Sequence, residues 1–137
     1  MALETTLMYE TAPPIPFTCA DGTGIEKGAI LVLTDPMTAA TTTGDTDACA
    51  GIAAEEKIAS DGKTKIAVYR EGIFKGYAGL AGVTAGKAII TDTATGAANE
   101  LVDADAGSVN IVGMALETAT DGQTFMFELK PIHSTVG

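Results

Sequence analysis

The second half of this 137-residue chain repeats the strand and turn chemistry of the first. Gly28-Ala29-Ile30-Leu31-Val32-Leu33-Thr34-Asp35 returns as Gly86-Lys87-Ala88-Ile89-Ile90-Thr91-Asp92. Further on, Gly51-Ile52-Ala53-Ala54-Glu55 followed by Asp61-Gly62-Lys63-Thr64 returns as Gly113-Met114-Ala115-Leu116-Glu117 followed by Asp121-Gly122-Gln123-Thr124. Asp-Gly is a strong hairpin signal because glycine accepts a positive φ. What recurs is scaffold, and neither copy carries a catalytic residue. One feature disturbs the match. Aligned on the Asp-Gly turns, Lys65, Ala67 and Tyr69 fall against Phe125, Phe127 and Leu129, so the apolar phase of the first copy (Ile66, Val68) is one position out. A one-residue slip exchanges the faces of a strand, so either a bulge intervenes or the first strand is covered on both sides.

Short strands separated by turn signals every 8–12 residues point to an all-β fold, a small compact barrel or sandwich of antiparallel strands. Strand signals lie at Gly28–Leu33, Lys65–Tyr69, Gly72–Lys75, Lys87–Thr91, Asn110–Leu116 and Thr124–Leu129. Asp92–Gly96 reads as a turn, residues 37–48 as a loop without periodicity, and a short helix near Thr84 or Ala97 stays open.

Residues 1–24 differ. Leu7, Tyr9, Ile15 and Phe17 are interspersed with Thr11, Pro13, Pro14 and Pro16. Proline fixes φ and removes a donor, which argues against a helix and against a central strand. The segment is expected to run as an extended arm. Its apolar side chains either pack across their own domain or bury against a neighbour, and we take the second reading. The organisation is then 1–24 arm, 25–132 β domain and 133–137 tail. Removing residues 1–17 is expected to leave the β domain folded.

Ala, Gly and Thr supply 23, 16 and 20 residues, against four Phe, three Tyr and no Trp. Small side chains bury little area each, so the core is expected to be thin and association is expected to supplement it. The net charge of −10 repels phosphate backbones, which argues against nucleic acid as a partner. No apolar run approaches the ~20 residues of a membrane span. The opening residues lack the regions of a signal peptide, so synthesis in the cytoplasm is expected.

Candidates for chemistry are few. His133 is the only histidine, Ser60, Ser108 and Ser134 lie outside any Gly-x-Ser-x-Gly elbow, and Cys19 and Cys49 read as small buried thiols. The glycines from Gly72 to Gly86 fail the phosphate-loop pattern. Asp45-Thr46-Asp47 and Asp103-Ala104-Asp105 lack the glycine and bidentate Glu of a calcium loop and read as solvated acids. No catalytic residue, cofactor or metal is assigned.

Three passages resemble a known family, the small capsid-decoration or cement proteins of tailed viruses. They are the Met-Ala start with its polar, Thr/Pro-rich arm; Glu71-Gly72-Ile73-Phe74 leading into Val83-Thr84-Ala85-Gly86-Lys87-Ala88; and Ile111-Val112-Gly113-Met114-Ala115-Leu116-Glu117-Thr118-Ala119 with the following Asp121-Gly122. The resemblance runs over most of residues 25–131. It departs from the family's Gly-Asp-x-Val-like strand start, where this chain has Gly86-Lys87-Ala88 and Gly28-Ala29-Ile30. It implies a non-enzymatic virion protein that binds the outside of the assembled capsid and stabilises it. The implied partners are the major capsid protein and further copies of itself in a homotrimer. Leu7, Tyr9, Ile15 and Phe17 are the residues expected to carry capsid contact. The rival reading is a small ligand- or carbohydrate-binding β module, whose aromatic platform would have to come from Tyr69, Tyr77 and Phe74.

Overall fold

Glycine and proline breaks cut the chain into strands of four to ten residues in a computed structural model, which describes residues 4–41, 48–91, 99–104 and 110–133. In order these are β1 Thr6–Tyr9, β2 Ile15–Thr18, β3 Ile30–Asp35, β4 Thr38–Thr41, β5 Cys49–Ala53, β6 Lys65–Tyr69, β7 Gly72–Ala78, β8 Ala88–Thr91, β9 Glu100–Asp103, β10 Asn110–Ala115 and β11 Thr124–His133. No helix occurs among the described residues, and the fold is all-β as the turn spacing implies. Asp92–Gly96 and Ala97 lie outside the described residues.

The strands close into two five-stranded barrels with one topology. In the first, β2-β4-β3-β5-β6 closes on itself, with β2–β4 parallel and every other pairing antiparallel. In the second, β7-β9-β8-β10-β11 does the same, with β7–β9 as its parallel pair. Registers match as well: Leu31 pairs with Gly51 and Ala53 with Val68, just as Ile89 pairs with Gly113 and Ala115 with Phe127. Isolated bridges Ile25–Lys57 and Val83–Ala119 occupy the same place in each. Even the side-chain capping repeats, since Ala67 N–H donates to Glu55 and Met126 N–H donates to Glu117. The repeat read from sequence is therefore a duplicated barrel, and the chain holds two barrels where one was expected.

These registers locate the one-residue slip. Val68 is the counterpart of Phe127 and Ile66 of Phe125, so β6 and β11 turn the same faces inward and neither contains a bulge at that point. The difference sits in the connection. Nine positions separate Lys57 from Ile66, while six separate Ala119 from Phe125. Gly51 and Gly113 are required for a packing reason. A Cβ at either would collide with a carbonyl oxygen of the neighbouring strand, that of Tyr69 and of Glu128 respectively.

Two expectations about the first 41 residues need correction. Thr38–Thr41 is a strand, although its Thr/Ala sequence carries no amphipathic signal; its pairing with β3 supplies the order. Ile15–Thr18 is also a barrel strand despite Pro16. The proline is tolerated because β2 pairs with β4 only at Thr18, beyond it, and meets β6 on the other side. Removing residues 1–17 would therefore open the first barrel.

The cores are unequal. The first barrel encloses Phe17, Cys19, Ile25, Ala29, Leu31, Ala39, Ala50, Ala53, Ile66 and Val68. The second encloses Phe74, Phe125 and Phe127 with Ile89, Leu101, Val112 and Leu129. Phe74 stacks on Phe127 with centroids 6.1 Å apart, and Phe125 lies 5.6 Å from Phe127. Ile30, Cys49 and Ile52, from the outer side of the first barrel, join that second core, so the barrels share apolar surface.

Candidate functional site

The N-terminal segment lies along its own chain. Thr5 N–H donates to the Gly28 carbonyl, and Thr6–Tyr9 then pairs antiparallel with β7 as the terminal strand of its sheet. Thr11 Oγ1 donates to Glu71 at 3.0 Å before the prolines lead into β2. The four residues expected to make contact divide into two kinds. Leu7, half-buried, packs on the shared core, and Phe17 is inside the first barrel. Tyr9 and Ile15 point outward, at 64% and 40% exposure.

Comparing the barrels gives the arm a local purpose. By register, Pro16 of β2 stands where Lys75 stands in β7. In the first barrel that stretch of edge is blunted by prolines; in the second it is covered by β1. Both are ways of keeping main-chain groups from recruiting another strand.

Two buried polar clusters hold the first barrel. Asn99, in the left-handed region at φ 80°, reaches from the second barrel into the first. Its Oδ1 accepts from Ile30 N–H at 2.6 Å, and its Nδ2 donates to the Gly28 carbonyl at 2.9 Å and to Thr5 Oγ1 at 3.2 Å. Lys57, where the second barrel has Ala119, closes the other cluster. Its Nζ donates to Asp61 Oδ1 at 2.7 Å, Asp21 Oδ1 at 3.1 Å and the carbonyls of Ile58 and Asp21. Burial opposes the charge on Lys57, but the carboxylates of Asp61 and Asp21 outweigh it and hold the ammonium above its ordinary pKa. Asp61, bonded to Lys57 and to Lys63 N–H, is lowered to about 2. The Lys57 ammonium faces four oxygen acceptors, enough for its three N–H donors, which is the arrangement of a plug rather than of a reactive group.

The remaining candidates gather no chemistry. Cys19 and Cys49 are buried and unpaired; burial raises both thiols, Cys49 to about 12, which leaves no thiolate to react. Ser60 occupies a left-handed turn. Asp103 accepts from Thr84 N–H and Thr84 Oγ1, both at 2.8 Å. Asp45, Asp47, Asp105, Ser108 and Ser134 lie outside the described residues, as does the side chain of His133, whose backbone pairs with Asn110 at the end of β11. No group of three or more His, Cys, Asp or Glu able to hold a metal occurs among the described residues. Gly76 is needed for packing, because a Cβ there would lie 2.9 Å from the Phe127 ring. The aromatic platform of the rival reading does not form: Phe74 is buried, with Tyr69 edge-on against it at 5.6 Å.

What is available is surface. A recess of about 470 Å³ opens on the second barrel, lined by Gly86, Ala88, Ile111, Gly113, Met114 and Lys130 among others. Exposed apolar side chains also stand on the first barrel, Leu33 at 42% and Met37 at 52%. Sequence reading missed the recess, Asn99 and Lys57. Only the repeat could have signalled them, through a lysine set against Ala119 and an asparagine set against Met37.

Comparison with known proteins agrees with this picture. A family model described as phage cement protein matches residues 9–130. No curated protein matches the sequence. Among solved structures, the N base of the head fiber gp8.5 of bacteriophage phi29 is similar, with a TM-score of 0.55 at 17% identity. The alignment covers 87% of this chain and 96% of that one, and at this identity it speaks to the fold alone.

Proposed function

The chain belongs to the phage cement protein family, and from that premise we propose that it is a structural protein of the phage virion that binds the outer surface of the assembled capsid and stabilises it. The single observation carrying this reading is the family match over residues 9–130. The partners in this reading are the major capsid protein and further copies of the chain in a homotrimer, without nucleic acid or membrane. The protein performs no reaction. It is made in the host cytoplasm, where its charge of −10 favours solubility before assembly.

Within this reading the N-terminal segment makes capsid contact. Tyr9 and Ile15 are exposed and supply the touching surface, whereas Leu7 and Phe17 turn inward and anchor it. Several weak arm contacts on one oligomer sum to firm attachment through avidity.

The experiment is to mix purified protein with assembled heads lacking it, pellet the heads, and follow their melting by calorimetry. Saturable co-sedimentation and a raised melting temperature are expected. Absence of both on mature heads would overturn the assignment. The double variant Tyr9→Ser, Ile15→Ser is expected to fold and to lose at least about tenfold in head affinity, the equivalent of one 1.4 kcal/mol contact. Unchanged affinity would remove the arm from the interface while leaving capsid binding intact.

A further inference from the structure

We propose that copies of this chain associate head to tail through surfaces that repeat, between subunits, the junction joining the two barrels within one chain. The inference rests on the self-association in the reading above and names the residues that would carry it.

The internal junction has two halves. The receiving half is the outer side of the first barrel, where Ile30, Cys49 and Ile52 are buried in the shared core and Tyr69 packs against it. The inserting half is Asn99, just before β9, which bonds Ile30 N–H and the Gly28 carbonyl.

The duplication places a second version of each half on the same chain. By register, Ile30, Ile52 and Tyr69 correspond to Ala88, Met114 and Glu128, which together with Ile111 line the open recess on the second barrel. Asn99 corresponds to Met37, because Ala39 pairs with Leu33 as Leu101 pairs with Thr91. Met37 keeps the left-handed backbone of its counterpart, with φ 50° against 80°. Its side chain projects into solvent at 52% exposure, next to Leu33 at 42%. Thr91, the counterpart of Leu33, is 5% exposed, and Asn99 is 2% exposed.

Among the described residues, each chain thus has one filled junction, an open face equivalent to the receiving half and an exposed Met37 equivalent to Asn99. The chemistry of the unused pair is coherent. Where the internal turn carries an amide that satisfies main-chain groups, the outer turn carries an unbranched thioether suited to an irregular apolar recess. A non-glycine residue held at positive φ costs energy, and a hairpin that keeps this shape to present Met37 has a reason to do so. The two faces lie on different barrels, so the contact is heterologous, and copies joined this way close into a ring when the rotation permits. Three copies would then present six barrels around one axis.

Light scattering after size exclusion tests this with the full chain, wild type against Met37→Glu and Met114→Glu. Wild type is expected at three times the 13.9 kDa chain mass, and each variant at the chain mass itself. Both positions are exposed, and circular dichroism melts of each variant guard against misfolding, with Met37→Ser and Met114→Ser as milder substitutes. An equal mixture of the two Glu variants retains one intact pair of faces, so it should form heterodimers at twice the chain mass and go no further. Variants that keep the wild-type mass would overturn the interface while sparing self-association. A monomeric wild type would overturn self-association and this proposal together, and head binding lost on Met114→Glu from such a monomer would assign the recess to the capsid instead.

Discussion

Asn99→Ala gives the sharpest test of how the two barrels are joined. The substitution removes the acceptor of Ile30 N–H and the donor to the Gly28 carbonyl, both at a site where Asn99 is 2% exposed. The Gly28 carbonyl keeps the Thr5 N–H, so Ile30 N–H is the buried group left without a partner, at a cost of about 1–3 kcal/mol. Alanine must also adopt the φ of 80° that asparagine tolerates, adding about 1 kcal/mol. The expected loss is therefore about 2–4 kcal/mol, a large share of the 5–15 kcal/mol typical of a domain. Asn99→Gly separates the contributions, because glycine accepts the backbone but restores neither hydrogen bond. It should cost about 1 kcal/mol less than alanine. The assay is denaturant unfolding at one fixed protein concentration, since any self-association would make stability concentration-dependent. Amide exchange adds a local readout: Ile30 N–H should exchange faster in both variants, while the amide of Leu31, deep in the first barrel, should change only with global stability. A loss below about 1 kcal/mol in Asn99→Ala, with Ile30 exchange unchanged, would show that the site does not depend on this amide and would refute the reasoning.

Two further predictions follow from the plug and from the strand crossings. Asp61 is lowered from 3.8 to about 2 and therefore stabilises the fold fully above pH 4, a contribution that fades as pH falls from 3.8 toward 2. Lys57, raised, contributes below its ordinary pKa of 10.5 and loses its share only in stronger alkali. The gap in denaturant midpoint between wild type and Asp61→Asn should hence be constant across neutral pH and close in acid; a gap that persists at pH 2 would contradict the ion pair. Gly113→Ala should fail to give folded protein, because the added Cβ collides with the Glu128 carbonyl oxygen. Gly122→Ala, with open space around it at φ 80°, should cost only about 1–2 kcal/mol of backbone strain. Equal melting temperatures for the two would refute the crossing argument.

Sequence periodicity revealed what depends on local chemistry and hid what depends on distance. Phe125, Phe127 and Leu129 share a buried face, as their alternation implies, and both Asp-Gly turns sit at positive φ. Strand β4 was illegible because Thr38-Ala39-Ala40-Thr41 has no apolar contrast and owes its order to β3. Pro16 misled because its cost depends on which side of β2 is paired, a fact of topology. Nothing in the residues adjacent to Lys57 marks it as buried. Its burial follows from Asp21, 36 positions away, and from a connection longer than its counterpart. The one-residue slip looked like evidence against duplication, yet it was a loop-length difference, which the alternation of a single strand cannot distinguish from a register shift.

The two barrels also differ in how far each could stand alone. The expected thin core is found in the first, where Phe17 is the only aromatic among four alanines, a cysteine and small aliphatics. Polar devices supplement it: the Lys57 plug and the Asn99 amide. The second barrel buries three phenylalanines and in addition takes Ile30, Cys49 and Ile52 from its neighbour. Apolar burial stabilises by about 25 cal/mol per Å², so the aromatic cluster gives the second barrel the larger share of the folding free energy. The first barrel gains its outer-face burial only by docking on the second. Opening the junction would expose that face on the first barrel while leaving the aromatic stack closed, so local unfolding should begin in residues 15–69 and not in residues 72–133. Duplication followed by such division of labour would leave one barrel free to specialise in stability and the other in presenting Leu33 and Met37.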